Sequence, residues 1–287
     1  MLIMRFRGGL GNQMFQYALY RSLITSGKTV KADISPFVYD KKREFVLDKF
    51  PNVKMDLLSK SEFDEVYKKY RKRSFVVKCL NKLLPPTDFY YIEKFEGMFH
   101  KSIFHKDNKI IDGYFQNEKY FIQNKAMIRE ELSFPKVSSK VLARISEDLE
   151  KENNSVSIHI RRGDYLELDD LYGGICTLDY YQKAIEYIEK KIETPKYYIM
   201  SDDIDWVKDN IKIENATYIN RDIFDCYEDW YDMCIMHKCH HNIIANSSFS
   251  WWGAWLNRHE DKIVIRPKKW NKKSKMKGLS GENWIEI

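Results

Sequence analysis

The chain is punctuated by short apolar runs of strand length, each followed by a polar or glycine-rich turn and then by a stretch of helical periodicity. No other feature constrains the fold as strongly. Such a repeat buries its apolar strands by pairing them in parallel, with the helices packed on the sheet faces. Strands are expected at 2–6, 29–33, 109–115, 156–160, 197–200, 217–220, 242–245 and 263–265. Helices are expected to begin near Asn12, Ser59, Glu118, Ser138, Thr177, Asp203, Asp225 and Ser248. The reading is an α/β chain with mainly parallel sheets. Its 287 residues suffice for two compact cores. A division near Phe134-Pro135-Lys136 would give domains 1–135 and 136–287, with one continuous sheet as the alternative.

In open parallel sheets, ligands sit beyond the carboxyl ends of the strands. The segments of unusual chemistry all fall there: Gly8-Gly9-Leu10-Gly11-Asn12-Gln13, Gly113-Tyr114-Phe115-Gln116, His159-Ile160-Arg161-Arg162-Gly163-Asp164, Ser201-Asp202-Asp203 and Asn246-Ser247-Ser248. In 156–160 the side chains alternate, so His159 and Arg161 share one face near the strand end. Two guanidinium forks at that end suit a pyrophosphate, because each can donate a bidentate, charge-assisted pair. The competing reading is a structural turn in which Asp164 holds an arginine. Asn246, Ser247 or Ser248 would cap the following helix, whose free N–H groups favour an anion. Trp251, Trp252 and Trp255 then read as core. Asp202 and Asp203 could accept from guanine or a ribose hydroxyl, or could simply complement a helix dipole. The glycine loop lacks both the Gly-Lys-Ser/Thr of a Walker loop and the third glycine of a dinucleotide fingerprint. It allows either close approach to a ligand or tight helix–strand packing.

Composition narrows the partners. The chain carries 48 Lys and Arg against 42 Asp and Glu, a net charge of +6 that would attract a diphosphate or an anionic membrane. No nucleic-acid-binding signature accompanies it. Five cysteines without a CxxC pair argue against a disulfide framework and for a reducing compartment. With no signal-type stretch and no long uncharged apolar run, the expected location is cytoplasmic. Asp203-Ile204-Asp205 spells a DxD, a pattern that can hold a metal, but acidic residues in a first helical turn ordinarily complement the dipole. His237, Cys239, His240 and His241 cluster without a second Cys/His group at a zinc-module spacing, so no metal is expected. The stretch 67–84 is dense in Lys and Arg, has no acidic residue and, read as a helix, forms an apolar stripe through Phe75, Val76, Cys79, Leu80 and Leu83. It suits either a solvated helix face or peripheral docking on the inner face of an anionic membrane.

Taken together, GGLGNQMFQYA at 8–18, DGYFQNEKYF at 112–121, HIRRGDY at 159–165, YIMSDDIDW at 198–206 and NIIANSSFSWWGAWL at 242–256 resemble the α-1,2-fucosyltransferases of glycosyltransferase family 11, in the same order and over most of the chain. The resemblance implies a GT-B-like architecture of two Rossmann-like domains. It implies GDP-fucose as donor, a galactose-terminated oligosaccharide as acceptor, inversion at the fucose anomeric carbon, and no metal or cofactor. By position, Arg161 and Arg162 would hold the GDP phosphates, with His159 at the nucleotide. Asp202 or Asp203 would contact guanine or ribose, and Asn246, Ser247 and Ser248 would face the diphosphate. Gly11, Asn12 and Gln13 would lie near the transferred sugar. His159 and Asp164 are the motif residues able to take a proton, and which acts is left open. The first domain would be the acceptor side and the second the donor side. The other readings are a fucosyltransferase of different linkage, such as a protein O-fucosyltransferase-like enzyme, and a non-catalytic nucleotide-sugar or glycan binding module.

Overall fold

The structure, a computed structural model, describes residues 1–68, 89–163, 170–272, 279 and 281–287. The chain divides into two compact units, Met1–Ser133 and Phe134–Ile287. Each is built on its own parallel sheet, so the expected α/β class with two Rossmann-like units is the one observed.

The N-terminal unit carries β1 (Leu2–Arg5), β2 (Val30–Asp33), β3 (Tyr90–Ile92) and β4 (Ile110–Asp112), in the order β2-β1-β4-β3. Helix α1 (Leu10–Thr25) follows β1 and is buried on nearly every side, through Leu10, Met14, Phe15, Ala18, Leu19 and Leu23 and also Gln13 and Gln16. A helix so enclosed belongs to the core rather than the surface. The helix expected near Ser59 begins at Lys60. Glu62 closes a capping box there, accepting from the Ser59 backbone N–H at 2.9 Å while its own N–H donates to the Ser59 hydroxyl. The stretch 67–84 lies, from residue 69 on, outside the described residues.

Two expectations in this unit shift, and one strand was not foreseen. Strand β4 stops at Asp112 instead of reaching Phe115, because the Glu93 carboxylate accepts the backbone N–H groups of Tyr114 and Phe115 at 2.7 and 3.0 Å and draws them out of line. The helix expected near Glu118 is two short 3-10 turns, Glu118–Tyr120 and Ile122–Asn124, ahead of a helix at Lys125–Glu131. Strand β3 is an edge strand of three residues whose short run carries no alternation to read.

The C-terminal unit holds β5 (Ser155–Ile160), β6 (Lys196–Ser201), β7 (Ala216–Ile219), β8 (His241–Ile243), β9 (Val264–Arg266) and β10 (Ile285–Glu286), in the order β10-β9-β8-β5-β6-β7. Val156, Ile158 and Ile160 pack with Tyr181, Ala184, Ile185 and Ile188 of the helix Leu178–Glu189 and with Val207 of the helix Ile204–Asn210. Burying each such aliphatic chain contributes roughly 1.5–3 kcal/mol. The expected helix near Asp225 starts later, at Tyr231 (Tyr231–Lys238), where the buried run Tyr231–Met236 begins. It packs so closely on the helix Ser248–Leu256 that a Cβ on Gly253 would stand 2.8 Å from Met236 Cβ. Trp251, Trp252 and Trp255 are buried there as core.

Candidate functional site

In the C-terminal sheet, β5 is flanked by β6 on one side and β8 on the other, so the connections leave it in opposite directions. That topological switch is where a parallel α/β sheet opens a crevice at its carboxyl edge. The loops at the crevice are Arg161-Arg162-Gly163 after β5 and Ile244–Ser247 after β8.

The arginine turn is braced from the neighbouring strand. Register pairs Ile160 with Ser201, which sets Asp202 beside the turn. The Asp202 carboxylate accepts the backbone N–H groups of Arg162 and Gly163 at 2.9 and 3.1 Å and pairs with Arg161 Nη1 at 3.2 Å. A Cβ on Gly163 would meet Asp202 Oδ2 at 2.7 Å, so this close approach requires glycine. Asp203 caps the helix Ile204–Asn210 through Trp206 N–H and accepts from Arg162 Nε at 3.1 Å. The Arg162 guanidinium lies 3.5 Å above the Trp206 ring. The structural-turn reading has Asp164 hold an arginine; Asp164 lies outside the described residues, and Asp202 pairs with Arg161.

His159 sits just before the turn, 4% exposed, with its ring 5.6 Å from that of Phe249 in the first turn of the helix Ser248–Leu256. Burial, reinforced by the Arg161 charge, pushes its pKa down to about 3. The imidazole is therefore neutral near pH 7 and a poor proton acceptor, which weighs against it as general base. The helix cap is Ser247, whose hydroxyl accepts from Phe249 N–H at 3.3 Å. Asn246 points inward: its amide donates to the Trp270 and Tyr172 carbonyls and its oxygen accepts from the Cys176 thiol at 3.4 Å. Ser248 is half-buried at the helix start.

A third cation at this edge escaped the sequence reading. Arg221, two residues past the end of β7, stacks 4.8 Å over the Tyr227 ring and stands 3.8 Å from the buried Asp232. Burial raises the Asp232 carboxyl to about 6, against the pull of Arg221. The signal was available, since an arginine just beyond a strand's carboxyl end is the position that singled out Arg161.

In the N-terminal unit the switch lies between β1 and β4. Asn12 Oδ1 accepts from Gln116 Nε2 at 2.7 Å and so ties the two loops there. Gln13 is buried and committed: its amide donates to the Gly8 and Glu44 carbonyls and its oxygen accepts from Val46 N–H. Gly11 is buried beside it in α1. Arg7, unremarked in the sequence, lies over the Tyr114 ring at 4.8 Å and pairs with Asp112 at 3.1 Å.

Among the described residues no three His, Cys, Asp or Glu side chains converge as metal ligands. Asp205 of the DxD points to solvent and pairs with Lys208, while His240 pairs with Asp261 and His241 accepts from Ile263 N–H. Among the described residues no helix is long and apolar enough to cross a membrane.

The model of Glycosyl transferase family 11 matches residues 1–287. The chain belongs to that family. It is a glycosyltransferase. The family member is 32% identical to the Escherichia coli "Alpha-1,2-colitosyltransferase" over 100% of its own length and 98% of that protein. It is 34% identical to the Escherichia coli "O-antigen biosynthesis glycosyltransferase WbnK", over 98% of each chain. A shorter match, 24% identical over 39% of this chain and 31% of the other, is to "Galactoside alpha-(1,2)-fucosyltransferase 1" of Aotus nancymaae.

Proposed function

We propose that this glycosyltransferase is an inverting α-1,2-fucosyltransferase that moves L-fucose from GDP-fucose to the 2-hydroxyl of a terminal β-galactoside, with no metal or other cofactor. The observation that carries the reading is the Arg161–Arg162 turn, braced by Asp202 and Asp203 at the switch point of the C-terminal sheet. In this reading the C-terminal unit takes the donor and the N-terminal unit the acceptor. As the bond from the anomeric carbon to the β-phosphate oxygen breaks, negative charge builds on the departing GDP. Prepositioned guanidinium groups stabilise that charge without reorganising. The acceptor oxygen attacks the opposite face of an oxocarbenium-like centre, and its proton leaves late. With His159 held neutral by burial, Asp164 remains the motif candidate for that proton.

A second reading is favoured by the full-length relative named as a colitosyltransferase: the same linkage made with colitose, a fucose without its 3-hydroxyl. The test is a panel of GDP-fucose, GDP-colitose, a UDP-sugar and an ADP-sugar against lactose and N-acetyllactosamine, with product linkage determined by NMR. Transfer from GDP-fucose to the galactose 2-hydroxyl is expected, undiminished by EDTA. Exclusive use of GDP-colitose selects the second reading. Another linkage, or activity lost to EDTA and restored by Mn²⁺ or Mg²⁺, overturns the first. For the basic stretch 67–84 the reading is peripheral docking on an anionic membrane; equal, negligible sedimentation with neutral and anionic vesicles at low salt removes it.

A further inference from the structure

We infer that Arg221 reads the guanine edge of the donor nucleotide, donating to its O6 and N7 atoms. This rests on the GDP-sugar reading above and goes beyond it by assigning the base-recognition residue. The strands β8, β5, β6 and β7 lie side by side. At about 4.8 Å per strand their carboxyl ends span roughly 14 Å, room for a nucleoside diphosphate laid along the edge. The anion-binding features occupy one end of that span: the Ser247-capped helix after β8 and the Arg161–Arg162 turn after β5. The base then falls toward the ends of β6 and β7.

At β6 the two carboxylates that could meet guanine are already engaged. Asp202 holds two backbone N–H groups and Arg161, and Asp203 holds a helix cap and Arg162. Across the β6–β7 pair the next charged side chain is Arg221, on the short turn Arg221–Ile223 that begins one residue past the Asn220 cap. Its side chain is 43% exposed, against 22% for Arg161. It is held from two sides, by the Tyr227 ring at 4.8 Å and by Asp232 at 3.8 Å, so the guanidinium plane is oriented while part of its fork stays accessible. It stands just past the carboxyl end of β7, on the same edge of the sheet as the Arg161–Arg162 turn after β5. A planar fork of N–H donors matches the two adjacent acceptors of guanine, whereas adenine offers a donor at the equivalent of O6. Arg221 is thus the residue that would tell GDP from ADP.

The experiment measures calorimetric dissociation constants for GDP and ADP with the wild-type chain, Arg221→Ala and Arg221→Lys, with circular dichroism to verify folding. Arg221→Ala is expected to weaken GDP by roughly 10- to 100-fold and leave ADP within about twofold. Arg221→Lys, which keeps the charge but not the fork, is expected to lose the GDP preference almost as fully. An equal fall for GDP and ADP would make Arg221 a phosphate ligand and overturn the assignment, as would an unchanged preference in either variant. A wild-type chain that binds GDP no better than ADP would instead overturn the GDP reading, and this assignment with it.

Discussion

Both units place arginines at the end of a central strand and brace them with aspartates from its neighbours, yet the two constructions end differently. In the N-terminal unit all three side-chain nitrogens of Arg5 are engaged. Its Nε meets Asp33, its Nη1 meets Asp112, and its Nη2 donates to Tyr67 and Tyr90. The carboxylates act on the guanidinium itself. In the C-terminal unit Asp202 divides its oxygens between Arg161 and two backbone N–H groups, so it shapes the turn as much as it neutralises charge. Arg162 uses Nε on Asp203 and one face on Trp206. The first arrangement holds strands together; the second fixes the shape of the turn to which we assign the donor phosphates.

The strongest way to break this contrast is to remove one arginine from each side. Arg161→Ala should lower transfer by at least about 100-fold, from two charge-assisted bonds of roughly 1.5–3 kcal/mol each, with the denaturation midpoint little changed. Arg161→Lys should fail nearly as badly. Near-normal GDP affinity in Arg161→Ala would contradict the role. Arg5→Ala should do the reverse, costing on the order of 3 kcal/mol of stability by leaving Asp33 buried without its cation. A stable Arg5→Ala chain whose only defect is donor affinity would collapse the distinction.

Acid should also separate the units. His159 and His237 both belong to the C-terminal unit, and burial pushes their pKa values down to about 3 and about 4. A group depressed in the folded state contributes stability above its unfolded value, near 6.5, and loses it as pH falls toward the folded value. Between pH 7.5 and 5 each therefore removes about 2 kcal/mol. Asp232, raised to about 6, acts with the opposite sign, its contribution present below about 4 and lost as pH rises through 6. Urea denaturation followed by tryptophan fluorescence should show a midpoint that drops on acidification and drops less in His237→Gln. A midpoint constant down to pH 5 would count against buried neutral histidines here.

The smallest effect sharpens the account of the turn. Gly163→Ala sets a Cβ against Asp202 Oδ2, so GDP binding should weaken by about tenfold while the fold survives. Unchanged GDP binding would mean that the Asp202 brace is dispensable.

Much of the fold was legible because its signals are local. The run Val156-Ser157-Ile158-His159-Ile160 alternates within one strand and is one. The helix Leu178–Glu189 starts behind Thr177, whose hydroxyl accepts from Tyr180 N–H at 3.3 Å. Where the reading slipped, a distant group had intervened. Glu93 ended β4 early, and two of the edge strands, β3 and β10, gain their identity only from the strand they lie beside.

For the candidate site the division runs the same way. The sequence by itself determined the parallel α/β class, the arginine turn after β5 and the capped helix after β8, since side-chain alternation, turn residues and caps are properties of neighbouring residues. Only the tertiary structure decided that Asp202, 40 residues beyond Arg162, braces that turn. It also decided that Gln13 and Asn246 face inward and that Arg221 and Asp232 join the same edge. Those choices follow from strand order and register, above all Ile160 opposite Ser201. Register is set when two separate apolar faces are buried together, and neither segment carries that information alone.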